Sequence, residues 1–213
     1  MGVLDKINIK PETQQLFLNY IDVQNGEVVF LQSGLAREKF PCSFEKISGF
    51  THILPDTVFN IIDFNPDAPK TDLYIFSSHT TAIAFLQINT FICLDSTVFV
   101  VIANHYPKAY IDYIKSLYPF VKRICMVFPD NVYGLIDDIK TLLFWKNISH
   151  PRFYMENENL TISFNNLNFK LTPREFNLSS FKKVYRGRFF FHKAYKPSFV
   201  DYKYLLNIID NNY

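Results

Sequence analysis

Leu73-Tyr-Ile-Phe76, Val98-Phe-Val-Val-Ile102 and Arg123-Ile-Cys-Met-Val-Phe128 are three short runs dominated by branched and aromatic residues, separated by segments of helix length. The first run passes through a polar turn, Ser77-Ser-His-Thr80, into an apolar helical stretch that reaches Leu86. A helix ending near Tyr118 joins the second run to the third, and the loop Pro129-Asp-Asn-Val-Tyr-Gly134 leads into another helix that ends at Trp145. Continuous apolar strands alternating with helices are what a parallel sheet covered on both faces requires, because neither side of such a strand meets water. The expected fold class is α/β: a central parallel sheet flanked by helices over 72–146, an N-terminal mixed segment over 1–71, and a C-terminal region over 147–213, packed as one globular unit.

The chain has 213 residues, enough to bury a substantial core. Aromatic residues make up 17% and there are only six glycines, a composition that argues against long disordered tracts. Cys42, Cys93 and Cys125 are an odd number, widely spaced and without a CxxC pair, which points to a reducing compartment and away from a zinc site. The start, Met-Gly-Val-Leu-Asp-Lys, lacks the apolar stretch of a signal peptide, and no apolar run approaches the roughly 18 residues a membrane span needs. A soluble cytoplasmic protein with no membrane partner is expected.

The formal net charge of +2 conceals an asymmetry. Between 170 and 203 there are nine basic residues (170, 174, 182, 183, 186, 188, 193, 196, 203) against Glu175 and Asp201, a local balance of +7 that leaves −5 for the rest. The C-terminal part alone is suited to a polyanion.

The first 71 residues carry mixed signals. Pro11-Glu-Thr opens a helix by its Pro at the first helical position, whereas the letters up to Val23, followed by Asn25-Gly26 and Val28-Val-Phe-Leu31, fit a hairpin with a two-residue turn. The preferred reading is a helix or irregular start, then a strand at 27–32, with another strand over 58–64. After Trp145 the period changes to two. Leu160, Ile162 and Phe164 precede Asn165-Asn166, and Leu167, Phe169 and Leu171 follow it. A two-residue turn there pairs 164 with 167, 162 with 169 and 160 with 171, with all six apolar side chains on one face. Thr172-Pro-Arg-Glu175 has the form of a capping box that starts a short helix. Residues 182–191 read as a basic, aromatic extended segment, and Ser198-Phe-Val-Asp201 opens a short terminal helix.

In an open parallel sheet ligands meet the loops beyond the carboxyl ends of the strands. Those loops are 77–79, 103–107 and 129–131. A strand ending in a polar turn before a helix, then a later strand running into Asp-Asn with a Gly three residues beyond, resembles the Toprim domain of primases, topoisomerases and related nucleases, above all the Toprim-like units of mobile-element proteins. The resemblance covers about a third of the chain. It implies a Toprim-like sheet and a metal-assisted site for nucleic-acid chemistry, but this chain departs from the pattern where the chemistry lies. The family's glutamate falls at Ser77, the acid four residues on at Thr81, and the two metal-binding aspartates at Pro129 and Asn131, with Asp130 left between them. One carboxylate beside an amide is a poor magnesium site. Ser77, Asp130 and Asn131 are thus what remains of a catalytic set, and the resemblance implies a non-catalytic protein of phage or mobile-element type without a cofactor.

Other constellations are sparse. Ser77, Ser78 and His79 are merely sequence neighbours, and no Gly-x-Ser-x-Gly, Gly-x-Gly-x-x-Gly or P-loop occurs. His79, His105 and Asp130 are the candidates for a metal at adjacent strand ends. Asp137 and Asp138 read as a solvated helix start. Lys182, Lys183, Arg186, Arg188 and Lys193 are candidate phosphate contacts, with Tyr185 and Phe189 as stacking faces. The same residues also describe a solvated edge strand guarded by cations. Three functions follow: a nucleic-acid-binding protein or accessory to a nucleic-acid enzyme; a protein-interaction or structural component of a larger assembly; and a metal-dependent nuclease or primase in which Asp130 recruits acids such as Asp72 or Asp95.

Overall fold

The computed structural model describes residues 9–40, 44–48, 51–55, 57–103, 106–185 and 192–196. In chain order its elements are α1 (Pro11–Leu16), β1 (Ile21–Gln24), β2 (Glu27–Phe30), α2 (Gly34–Lys39), β3 (Lys46–Ser48), β4 (Thr51–Ile53), β5 (Phe59–Asp63), β6 (Asp72–Phe76), α3 (His79–Ile88), β7 (Thr97–Ile102), α4 (Lys108–Leu117), β8 (Arg123–Val127) and α5 (Val132–Trp145). They continue with β9 (Arg152–Glu156), β10 (Asn159–Phe164), β11 (Leu167–Leu171), α6 (Leu178–Tyr185) and β12 (His192–Ala194).

The three apolar runs become β6, β7 and β8, side by side and parallel, with β6 in the middle. They belong to a five-stranded sheet of order β12-β8-β6-β7-β5, in which β12 extends the parallel set and β5 runs antiparallel to β7. The sheet is therefore mixed, and both outer segments of the chain contribute a strand to it, across the boundaries at 71 and 147 expected from the sequence. Alternation along the strands makes two cores. Leu73, Ile75, Val98, Val100, Ile124 and Met126 face α4 and α5, behind which pack Leu160, Ile162, Leu171 and Phe181 of the C-terminal part. Phe76, Phe99, Val101 and Val127 face α3 and the apolar side of the N-terminal sheet, including Val28, Phe30 and Ile47.

That N-terminal sheet is antiparallel, of order β1-β2-β3-β4. Its first hairpin turns at Asn25 and Gly26, with φ of 52° and 79°, the two positive values a tight twisted turn demands. Helix and hairpin, alternatives from the sequence, thus occur in succession. The C-terminal hairpin has the expected register, Phe164 with Leu167, Ile162 with Phe169 and Leu160 with Leu171, around Asn165 and Asn166 at φ 48° and 61°. β9 joins it as a third strand. Leu167 remains half exposed at the tip of the otherwise covered face. The capping box at Thr172 and Glu175 is present and opens a single 3-10 turn.

Residues 182–185 are helical, not extended. Leu178, Phe181 and Tyr185 share one face of α6, and Asn177 accepts a hydrogen bond from Ser180 N at 2.8 Å at its start. Tyr185 packs against Phe164, Phe169 and Phe181 and so does not offer a stacking face. Arg186, Arg188, Phe189 and the expected terminal helix lie outside the described residues. No helix among the described residues is long and apolar enough to cross a membrane.

Candidate functional site

The parallel strands bring the ends of β6 and β8 together: Phe76 is level with Val127, so Ser77 and the loop from Phe128 to Asn131 stand at one rim. Asp72 and Asp95 do not join them. Asp72 opens β6 at the far end, where Arg123 grips both its oxygens, and the Asp95 carbonyl accepts a hydrogen bond from Lys70 Nζ at 2.8 Å beside Asp63. A nuclease site assembled from Asp130 with these acids is incompatible with the topology.

Of the candidates Ser77, Asp130 and Asn131, Ser77 is half-buried at the rim and Asp130 is exposed. Asn131 is a helix cap: its Oδ1 accepts from Gly134 N at 2.9 Å and starts α5. Gly134 is required there because a Cβ would stand 2.0 Å from the Pro129 carbonyl oxygen. The Asp-Asn-x-x-Gly signature is thus explained by the tight passage from β8 into α5.

His79 is no metal ligand. Asn60 Oδ1 accepts from Ser33 N at 2.7 Å and Ile61 N at 2.9 Å, which leaves its amide nitrogen to donate to the Leu31 carbonyl and to His79 Nε2, both at 2.8 Å. His79 Nδ1 then donates to Glu45 Oε2 at 2.7 Å. Both ring nitrogens are engaged, and Phe30 stacks on the ring at 4.9 Å. Glu45, wholly buried, also accepts from His79 N at 2.6 Å and Thr80 N at 3.2 Å, so it lies on the positive end of α3 while Ser78 caps it by accepting from Thr81 N. His105 is outside the described residues, and among those described no three His, Cys, Asp or Glu converge as a metal site.

The second buried acid at this rim is Asp138. It points inward from the second turn of α5 and is fully buried, correcting the expectation of a solvated helix start. Lys196, two residues beyond β12, places Nζ 2.6 Å from Asp138 Oδ2, and 3.4 Å and 3.3 Å from the carbonyl oxygens of Phe128 and Pro129. The contact is one of charge: neither oxygen of Asp138 receives a well-directed hydrogen bond among the described residues. Burial pushes its carboxyl up to about 7, against the opposing pull of Lys196 and with smaller upward contributions from Asp137 and Asp130. Lys182 is near enough to feel the Asp138 charge, and its own ammonium is held below the usual lysine range by burial. Lys183 and Lys193 are exposed. Cys125, level with Lys193 across the β8–β12 pairing, is pushed up to about 12 by burial.

Sequence reasoning missed Glu45, Asn60, Asp138 and Lys196. Asp138 was detectable: Leu135, Ile139 and Leu142 mark the inner stripe of α5, and 138 falls on it by helical spacing. Set against protein-family models, curated proteins and solved structures, the chain matches none.

Proposed function

We propose that the chain is a non-catalytic, Toprim-like α/β protein, of the type found in phage and mobile elements, that binds nucleic acid or holds it for a partner enzyme. The observation that carries this reading is the position of β12. This strand lies beside β8 at one edge of the sheet, with Lys193 alongside the middle of β8 and Lys196 reaching the rim where the two Toprim-resembling turns stand on neighbouring strands. At that rim the buried acid is offset by the chain's own ammonium, and Glu45 is spent on a helix end. Phosphate contact through exposed lysines needs no metal.

Fluorescence anisotropy of the full chain with a labelled single strand of about 20 nucleotides, at low salt, tests it. Binding is expected without magnesium, with affinity falling steeply as salt rises. The double change Lys183→Glu and Lys193→Glu should weaken it at least about tenfold by removing two phosphate contacts and adding two repulsive charges. Absence of binding at low salt overturns the reading. A second reading, an interaction component of a larger assembly, draws support from the opposite pole, where Phe91 and Phe120 are 82% and 71% exposed on the loops that enter β7 and β8. Light scattering on a co-purified complex free of nucleic acid would favour it.

A further inference from the structure

Lys196 has its ammonium held by a buried carboxylate and two main-chain carbonyls and yet retains a 23% exposed side chain. Asp138 is anchored on a core helix, whereas Lys196 follows a three-residue edge strand. If the ammonium swings outward, the carboxylate stays behind fully buried, with no hydrogen bond from any other described group and with two further carboxylates, Asp130 and Asp137, near enough to raise its proton affinity. An ionised carboxylate does not persist alone in such a place; it takes a proton. The pair is therefore a store for a cation whose release is linked to proton uptake.

Resting on the nucleic-acid reading above, we propose that Lys196 is an exchangeable phosphate contact: a nucleic-acid phosphate draws its ammonium off Asp138, and Asp138 binds one proton from solvent in its place. The charges balance, since the carboxylate–ammonium pair, a phosphate monoanion and a proton become an ammonium–phosphate pair and a neutral carboxyl. The direction of the pH effect follows from the neighbours. Lys196 on β12's extension is the main group holding the Asp138 carboxyl down; Lys182 on α6 is near enough to feel its charge; Asp130, Asp137 on α5, Cys125 on β8 and the buried Tyr106 that precedes α4 are further charged or titratable neighbours among the described residues. Departure of Lys196 raises the carboxyl's proton affinity, so phosphate binding strengthens as pH falls through the neutral range.

The test is anisotropy with oligothymidylate, whose bases and phosphates do not titrate between pH 6 and 8, on the full chain and two variants. Wild type is expected to bind about fivefold more tightly at pH 6 than at pH 8 at constant salt, the change that a linked pKa shift of about one unit produces. Asp138→Asn, which mimics the protonated carboxyl and sets Lys196 loose, should bind tightly at both pH values. Lys196→Met should bind weakly at both. Carbon-13 carboxyl NMR gives a readout without nucleic acid: the Asp138 signal should titrate near neutrality in the wild type and higher in Lys196→Met. Should the wild type bind while both variants follow its pH profile, or should Asp138 titrate in the ordinary carboxylate range, the exchange is wrong and the binding reading survives. If nothing binds, both fall.

Discussion

Two carboxylates are buried at the same rim of the sheet, and the chain treats them in opposite ways. Glu45 is held by two main-chain N–H groups at a helix end and by the Nδ1–H of His79, whose other nitrogen is held by Asn60. Asp138 is in contact with Lys196, which approaches from the chain's far end, with Lys182 near enough to feel its charge, and neither of its oxygens has a directed partner among the described residues. A buried charge that is fully hydrogen-bonded fixes one arrangement of the parts that supply the bonds; here it locks the N-terminal sheet onto α3. A buried charge with a single replaceable partner is energetically exposed, and this kind of poise marks sites that exchange a proton or a ligand. The difference assigns structure to Glu45 and exchange to Asp138.

The comparison breaks most visibly at Glu45. Glu45→Ala leaves two amide N–H groups and the His79 Nδ1–H buried without an acceptor, and should cost about 4 kcal/mol in chemical denaturation, at the upper end of what single changes do. A loss below about 1 kcal/mol would mean that water or another side chain replaces it, and that the two acids are not so different.

The loop that shapes the Lys196 seat is the next point of attack. Gly134→Ala drives a Cβ into the Pro129 carbonyl, a main-chain atom with nowhere to retreat, since Pro129 O also faces Lys196 Nζ. The expected cost is about 3 kcal/mol, measured as a lower denaturant midpoint at an unchanged slope. If the chain yields instead by lifting the loop, the Lys196 contact loosens and Asp138 titrates higher, which carboxyl NMR reads directly.

How much of this was visible in the letters depends on how local the cause is. The hairpin register followed from period-two alternation around Asn165-Asn166, two residues that tolerate positive φ, and the structure reproduces every pairing. The parallel order of β6, β7 and β8 followed from apolar runs spaced by helices. α6 was misread because the pairs Lys182-Lys183 and Arg186/Arg188 suggested alternation, while Leu178, Phe181 and Tyr185 carried the helical period that tertiary packing rewards. Asp138 was legible as a polar residue on an apolar stripe. Glu45 was not: its partners are 34 and 35 residues away, and nothing near Pro41 and Gly49 announces which helix end the carboxylate will reach. Non-local hydrogen bonds leave no periodicity behind.

The finest separation of the two acids is in the pH dependence of stability. The Asp138 carboxyl is raised in the folded chain, to about 7 from an ordinary value near 3.8, so between those limits the folded state holds the proton more tightly than the unfolded one. Stability contributed by this group is therefore present below the window and declines as pH rises through it, the reverse of what a hydrogen-bonded or well-paired carboxylate gives. Asp138→Asn removes the ionisation while keeping the shape. Relative to wild type it should be more stable by about 1 to 2 kcal/mol at pH 8, less than the full linkage because Lys196 loses its partner and turns to solvent. At about pH 4 and below, where the carboxyl is protonated in the folded and unfolded chains alike, the two proteins should be nearly equal. Paired acids such as Asp63 and Asp72 belong to both chains, so the difference between the two unfolding curves isolates position 138. A variant less stable at pH 8 than at pH 5, relative to wild type, would place Asp138 alongside Glu45 as a structural charge.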